Sequence, residues 1–276
     1  MRYEKLHLKE FYDFLGKDGA DPTLELFLPY NMSEMHRENL MRPAILICPG
    51  GGYGMCSQRE SEPIALQYTA GGYNVFLLTY SCAPHRFPTQ LREVAAAMDL
   101  IALHAEEWNT DENRIAILGF SAGGHLAAHY STAFDCPEVR EVFPESRPVK
   151  ASVLCYPVIT CIPAYSHAGS FRNLLGREVT PEDDEKYSCD KLVGDRTPTA
   201  FLWTTSTDSL VPPINAMLYA QALIAHHIPC ELHMYPFGRH GLATADDETN
   251  SPDLPAEERL AKAWIAESKR WLGQSL

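Results

Sequence analysis

Three side chains in this sequence could together perform acyl transfer: Ser121, His240 and Asp208. A serine hydroxyl is a poor nucleophile near neutral pH, so it needs a neighbouring base to take its proton, and the base needs a third group to hold its tautomer. Ser121 lies in Gly119-Phe120-Ser121-Ala122-Gly123. Before it runs the apolar stretch Arg114-Ile115-Ala116-Ile117-Leu118, and after it the helix-prone stretch Gly124-His125-Leu126-Ala127-Ala128-His129. A strand, a sharp turn and a helix in that order lift a serine above a sheet edge, and the flanking glycines remove side chains that would collide there. With Gly and Ser each at about 7% of residues, the pattern arises by chance in roughly one chain of this length in ten. Its context decides whether it means anything.

The context is a set of strand ends. Ala44-Ile45-Leu46-Ile47-Cys48 is a continuous apolar run, suited to a buried strand, and it leads into Pro49-Gly50-Gly51-Gly52-Tyr53, a loop with exposed backbone amides. In a parallel sheet, partners for Ser121 come from loops at the carboxyl ends of strands. Asp208 lies in Thr207-Asp208-Ser209-Leu210-Val211, just past a strand at 201–205. His240 lies in Gly238-Arg239-His240-Gly241, just past a strand at 230–235.

The remaining elements alternate. Residues 5–9 and 23–28 read as antiparallel edge strands, with Leu24, Leu26 and Leu28 on one face. A helix follows at 62–69, a strand at 73–80, and then a helix whose buried stripe is Leu91, Val94, Ala95, Met98, Ile101 and Ala102. Strands are expected at 151–156 and 199–204, and helices at 213–226 and 255–272, the last with Leu260, Ala263, Trp264 and Trp271 inward. Residues 157–198 carry prolines, charges and weak periodicity, which marks them as a candidate small cap over the sheet. The expected fold is a single α/β domain over 1–276, with a mostly parallel central sheet and helices on both faces.

These motifs, Pro49-Gly50-Gly51-Gly52-Tyr53, Gly119-Phe120-Ser121-Ala122-Gly123-Gly124-His125-Leu126-Ala127, Asp208 and His240, resemble those of the α/β-hydrolase esterases. The order Ser121, Asp208, His240 is the order of that fold's triad. The nearest resemblance is to the acetyl esterase and acetylxylan-esterase-like branch, related to the hormone-sensitive-lipase group, and it covers the chain from about residue 43 onward. The segment from Tyr80 through Pro88 also resembles the family's stretch after the second parallel strand. The resemblance implies an oxyanion hole formed by the amides of Gly51, Gly52 and Ala122. It also implies a serine hydrolase acting on small carboxylic esters, acetylated carbohydrate above all, with no metal or cofactor. Tyr53, Phe120, Tyr156 and Phe237 are the candidates to wall the substrate pocket. Two departures stand out. Many relatives have His where this chain has Pro49, so the glycine loop must be braced differently, and the short amino-terminal region leaves little room for a helical cap. Any cap must then come from 157–198 or from a partner subunit in a homo-oligomer.

Composition restricts the alternatives. The 276 residues are 45% hydrophobic and 21% charged, ordinary for a globular chain, and the net charge of -13 disfavours nucleic acid and anionic lipid as partners. The first ten residues alternate charged and apolar side chains with no signal-peptide core, and no stretch approaches a membrane span, so the expected location is cytoplasmic. Eight scattered cysteines without a C-x-x-C pair read as reduced thiols. His125 and His129 have the spacing of two metal ligands on a helix, but no third ligand is evident, and His125 is expected to pack behind the elbow. The glycine loop lacks the Lys of a phosphate-binding loop. Asp208 has a competing role as a helix N-cap, and His226, His227 and His233 suit surface or packing roles. The acidic clusters at 182–185 and 246–248 read as solvated surface. Arylformamidase and peptidase-like amide hydrolysis use the same triad and stay open, and a catalytically dead small-molecule-binding protein is the non-enzymatic alternative.

Overall fold

The computed structural model describes residues 1–17 and 19–276. Among these residues, eight strands form one sheet: β1 (Arg2–His7), β2 (Thr23–Leu28), β3 (Arg42–Cys48), β4 (Asn74–Thr79), β5 (Thr110–Phe120), β6 (Ala151–Cys155), β7 (Thr199–Thr205) and β8 (Cys230–Tyr235). Their order across the sheet is β1-β2-β4-β3-β5-β6-β7-β8. The β1–β2 and β2–β4 pairs are antiparallel and every later pair is parallel. The six strands β3 through β8 therefore run the same way and end at one edge of the sheet. Every loop singled out above leaves from that edge.

Among the described residues, eight α-helices complete the fold: α1 (Glu62–Thr69), α2 (Thr89–Leu103), α3 (Ser121–Ala133), α4 (Pro137–Arg140), α5 (Ala168–Leu175), α6 (Asp183–Tyr187), α7 (Ile214–Ala225) and α8 (Ala263–Ser275). Alternation along the strands assigns the two faces. In β3, Ala44, Leu46 and Cys48 join the core that also takes Leu91 and Val94 of α2, Leu126 of α3 and Tyr219 of α7. Ile45 and Ile47 join the opposite core, with Ile64 and Tyr68 of α1 and Trp264 and Trp271 of α8. The central strands are buried on both faces, which is why their sequences read as unbroken apolar runs rather than as alternation.

The architecture expected from the sequence is present, with local differences. Of the two amino-terminal strands only β1 lies at the sheet edge; β2 is paired on both sides and buries Phe27 on the face opposite Leu24 and Leu26. The closing helix begins at Ala263, after a 3-10 turn at Glu258–Lys262, so Leu260 is 57% exposed and Ala263 also faces solvent. A 3-10 turn advances about 120° per residue against about 100° in an α-helix, so a stripe counted through residues 255–262 loses phase. The buried stripe is Trp264, Ile265, Ser268, Trp271 and Leu272. Residues 157–198 contain α5 and α6, and their Val158, Ile159, Phe171, Leu174 and Tyr187 share the main core. All eight cysteines are free thiols, and no helix among the described residues is long and apolar enough to cross a membrane.

Trp264 anchors α8. Its ring stacks on Trp203 at 5.3 Å and meets Phe120 edge-on at 5.8 Å, and its indole N–H donates to the Ala243 carbonyl at 2.9 Å. Trp264→Ala should cost about 3–5 kcal/mol, as large buried truncations do. Urea denaturation checks it, with a loss under about 1 kcal/mol counting against this role.

His125 and His129, on α3, are buried, and burial pushes their imidazoles down to about 4 and about 3. An unfolded histidine titrates near about 6.5, so the unfolded chain takes up protons first as pH falls. The stability these two contribute is present above about pH 6.5 and is lost as pH drops towards about 4. His129→Leu should make unfolding free energy fall less steeply with acidification across that window. Equal slopes for wild type and variant would refute this.

Candidate active site

The turn between β5 and α3 puts Ser121 at the first position of the helix with φ of 53°, in the left-handed region that a non-glycine residue rarely occupies. Close packing holds it there. A Cβ on Gly123 would lie 2.2 Å from both the Cys48 and Pro49 carbonyl oxygens, so α3 presses directly on the end of β3.

From this turn the Ser121 hydroxyl donates to His240 Nε2 at 2.7 Å, and His240 Nδ1–H donates to Asp208 Oδ2 at 2.7 Å. The carboxylate can only accept, which fixes the tautomer and leaves Nε2 free to take the serine proton. The His240 side chain is 12% exposed and that of Asp208 1%, so the pair is shielded while Ser121 meets a cleft. Asp208 Oδ1 accepts from the amides of Leu210 and Val211, both at 3.0 Å. Those contacts orient the carboxylate within its own turn. They do not cap α7.

The glycine loop after β3 runs beside Ser121. Gly51 has φ of 125°, and a Cβ there would fall 2.1 Å from the Met55 carbonyl, so only glycine fits. Among the described residues, the amides of Gly51 and Gly52 donate to no protein acceptor. The Ala122 amide lies in the first turn of α3, where helix N–H groups have no intrahelical partner. The Gly50 amide is occupied: it donates to Glu60 Oε2 at 2.9 Å. Pro49 has no side-chain donor, and the brace comes from elsewhere. The Tyr80 hydroxyl donates to the Pro49 carbonyl at 2.6 Å, and Asn173 of α5 donates to the Gly52 carbonyl at 2.8 Å.

A cleft of about 640 Å³ opens above Ser121 and His240. Its walls include Gly51, Gly52, Gln58, Arg59, Glu60, His167 and Asn173, and its large apolar side chains are Met55 and Leu210. The aromatic residues expected to wall it lie elsewhere. Tyr53 is 1% exposed, and its hydroxyl donates to His125 Nδ1 at 2.8 Å. Phe120 is fully buried against Trp264 on the far face of the sheet, as its position in β5 dictates. Tyr156 is 2% exposed; its ring supports His240 edge-on at 4.9 Å and forms no part of the cleft wall. Phe237 is 50% exposed and outside the cleft. Aromatic type beside a strand end signals core as readily as pocket, and here core prevails.

His125 does pack behind the elbow. Its Nε2–H donates to the Tyr187 carbonyl at 2.8 Å, so both ring nitrogens are used within the protein. His233 stacks on Phe201 within β8, and His226 lies at the end of α7, 3.7 Å from Asp195. Neither reaches Ser121. The sequence reading missed Glu60, Arg59, His167 and Asn173. Glu60 precedes a helix in Arg59-Glu60-Ser61-Glu62-Pro63 and looks there like ordinary first-turn acid. Nothing local signals that it is 3% exposed.

The BD-FAE family model matches residues 25–223, a span that includes the glycine loop, Ser121 and Asp208 and ends before His240. The acetylxylan esterase of Xylanibacter ruminicola is 34% identical over 239 residues, 84% of this chain and 46% of that protein. Endo-1,4-beta-xylanase B of Butyrivibrio fibrisolvens is 37% identical over 232 residues, 80% of this chain and 36% of that one. This chain thus spans less than half the length of either relative. Among solved structures, an acetyl ester-xyloside bifunctional hydrolase from Caldicellulosiruptor lactoaceticus superposes with a TM-score of 0.84 at 34% identity, over 99% of this chain and 96% of that one. Sequence and backbone agree over most of the molecule: the chain belongs to the BD-FAE family and has the α/β-hydrolase fold.

Proposed function

We propose that this protein hydrolyses small carboxylic esters, acetyl esters of carbohydrate foremost, through an acyl-enzyme on Ser121. The observation that carries this reading is the unbroken hydrogen-bonded chain Ser121–His240–Asp208, two contacts of 2.7 Å, at the floor of an open cleft. Ser121 Oγ attacks the acyl carbon while His240 Nε2 takes its proton, and Asp208 steadies the imidazolium. The carbonyl oxygen, now carrying charge, accepts from the amides of Gly51, Gly52 and Ala122, each such donor worth about 3 kcal/mol of barrier. His240 then gives its proton to the leaving alcohol. Water, activated by the same histidine, attacks the acyl-enzyme and releases the acid.

The cleft lining favours a hydroxylated alcohol. Gln58, Arg59, His167 and Asn173 offer hydrogen bonds to such a group, and Met55 and Leu210 are the large apolar side chains beside them. Residues 157–198 supply His167, Gly169 and Asn173 to that wall, so in this reading they act as a small cap that selects the alcohol. The names of the relatives point the same way, towards acetylated xylan.

A fluorophosphonate probe should label Ser121 in the folded protein, and Ser121→Ala should lower kcat/KM for p-nitrophenyl acetate by at least about 10³-fold. Labelling at another residue, or an unchanged rate, would remove Ser121 from the mechanism. In a substrate panel, acetylated xylo-oligosaccharides should exceed both p-nitrophenyl esters of eight or more acyl carbons and aryl formamides by about tenfold or more in kcat/KM. A preference for long acyl chains overturns the small-ester reading, and a preference for formamides moves the activity to amide hydrolysis.

A further inference from the structure

Glu60 is a buried carboxylate that the reaction described above does not use. Its two oxygens face two different loops. Oε2 accepts from the Gly50 amide at 2.9 Å and Oε1 from the Tyr156 hydroxyl at 2.6 Å. The Tyr156 oxygen in turn accepts from the Ala243 amide at 3.0 Å, which leaves the phenolic proton for Glu60. Tyr156 follows β6 with φ of 37° and lays its ring against His240, and Ala243 lies three residues past His240. One side chain thereby joins the loops that leave β3, β6 and β8. It also fills the space beneath the glycine loop, since a Cβ on Gly50 would lie 2.6 Å from Oε2.

We propose that Glu60 is a positioning residue for ester hydrolysis: its ionised carboxylate fixes the glycine-loop amides and, as a second negative charge lining the same cleft as His240 and Ser121, stabilises the imidazolium formed during acyl transfer. This inference rests on the hydrolase reading above. The hydrogen-bond pattern suits an ionised acid, because both contacts are donors aimed at it. Burial pushes its carboxyl up from the ordinary value, while Tyr156, the Gly50 amide, His240 and Arg59 pull it back down. The other groups around His240 are Asp208 on Nδ1, the neutral phenol of Tyr156, and His167, which precedes α5 in the same cleft and whose imidazole is pushed down by burial and by His240 itself. Arg59 is the neighbouring cation and opposes the effect. Of these, Asp208 and Glu60 are the anions.

The sign follows. Removing the charge at Glu60 makes the imidazolium less favourable, so the base stays deprotonated to lower pH, and the acidic limb of the rate profile moves down. A brace without an electrostatic part would lower the rate and leave the limb in place. The experiment measures kcat/KM for p-nitrophenyl acetate and the rate of fluorophosphonate labelling of Ser121, both against pH, for wild type, Glu60→Gln and Tyr156→Phe. Thermal unfolding checks that each variant is folded. Glu60→Gln should lose about tenfold or more in kcat/KM and shift the acidic limb down by about half a unit to one unit in both measurements. Tyr156→Phe cuts the tie to the β6 and β8 ends and should also lose about tenfold or more. A folded Glu60→Gln whose limb stays at the wild-type position overturns the inference, as does Tyr156→Phe at the wild-type rate. Should Glu60→Gln fail to fold, the Tyr156→Phe rate decides. A wild type that neither hydrolyses the ester nor is labelled overturns the hydrolase reading and this inference with it; an active wild type beside an unshifted Glu60→Gln overturns this inference alone.

Discussion

The arrangement depends on how closely α3 approaches the end of β3. Gly123 allows a backbone-to-backbone contact at the Cys48 and Pro49 carbonyls that any side chain would prevent. That contact forces the turn at Ser121 into the left-handed region and sets the serine beside the glycine loop, with Ala122 starting the helix next to it. A strained φ costs of order 1–3 kcal/mol and survives only where the surroundings over-determine it. Here they do. Phe120 and Ala122, on either side of the turn, are both fully buried, in opposite cores.

The parallel sheet does the rest of the positioning. Because β3 and β5 through β8 run the same way, the glycine loop, the elbow, Tyr156, Asp208 and His240 all emerge at one edge although they are spread over nearly two hundred residues. The loops are then cross-linked by polar contacts that are themselves buried. Tyr80 holds Pro49, Glu60 holds Gly50 and Tyr156, Tyr156 holds the Ala243 amide, and Trp264 donates to the carbonyl of the same residue. In a dry interior such bonds are strong, and each missing partner is costly. The network makes the strand-end loops behave as one body.

What the sequence disclosed, and what it hid, divides along the range of the constraint. Gly119, Ser121, Gly123 and the Gly50-Gly51-Gly52 run were legible because the backbone itself demands them, within a few residues. The buried strands were legible because two-sided burial leaves no polar alternation to confuse the pattern. Asp208 and His240 followed once the parallel sheet was inferred, since strand ends were the places to look. The aromatic walls were not legible. Whether Tyr53, Phe120 and Tyr156 face a cleft or a core turns on the alternation of neighbouring strands and on partners more than sixty residues away, such as His125 for Tyr53. Glu60 was hidden for the same reason: its partners Gly50 and Tyr156 become neighbours only after the sheet closes. The phase of α8 was lost to a 3-10 turn that leaves no compositional mark.

That division also separates chemistry from selectivity. The groups proposed to perform acyl transfer hang from strand ends and are locked by the buried network, so their geometry is a property of the fold. The groups that line the cleft beyond them, Gln58, Arg59, His167 and Asn173, come from a 3-10 turn and from α5 and the residue before it, not from strand ends. Asn173 links the two sets, because it both lines the cleft and donates to the Gly52 carbonyl. Under the proposed mechanism, a change in α5 that moved Asn173 would be felt in the oxyanion amides as well as in the alcohol pocket. Substrate choice and rate are thus coupled through Asn173, and selection for a different alcohol that acted on α5 would act on catalysis as well.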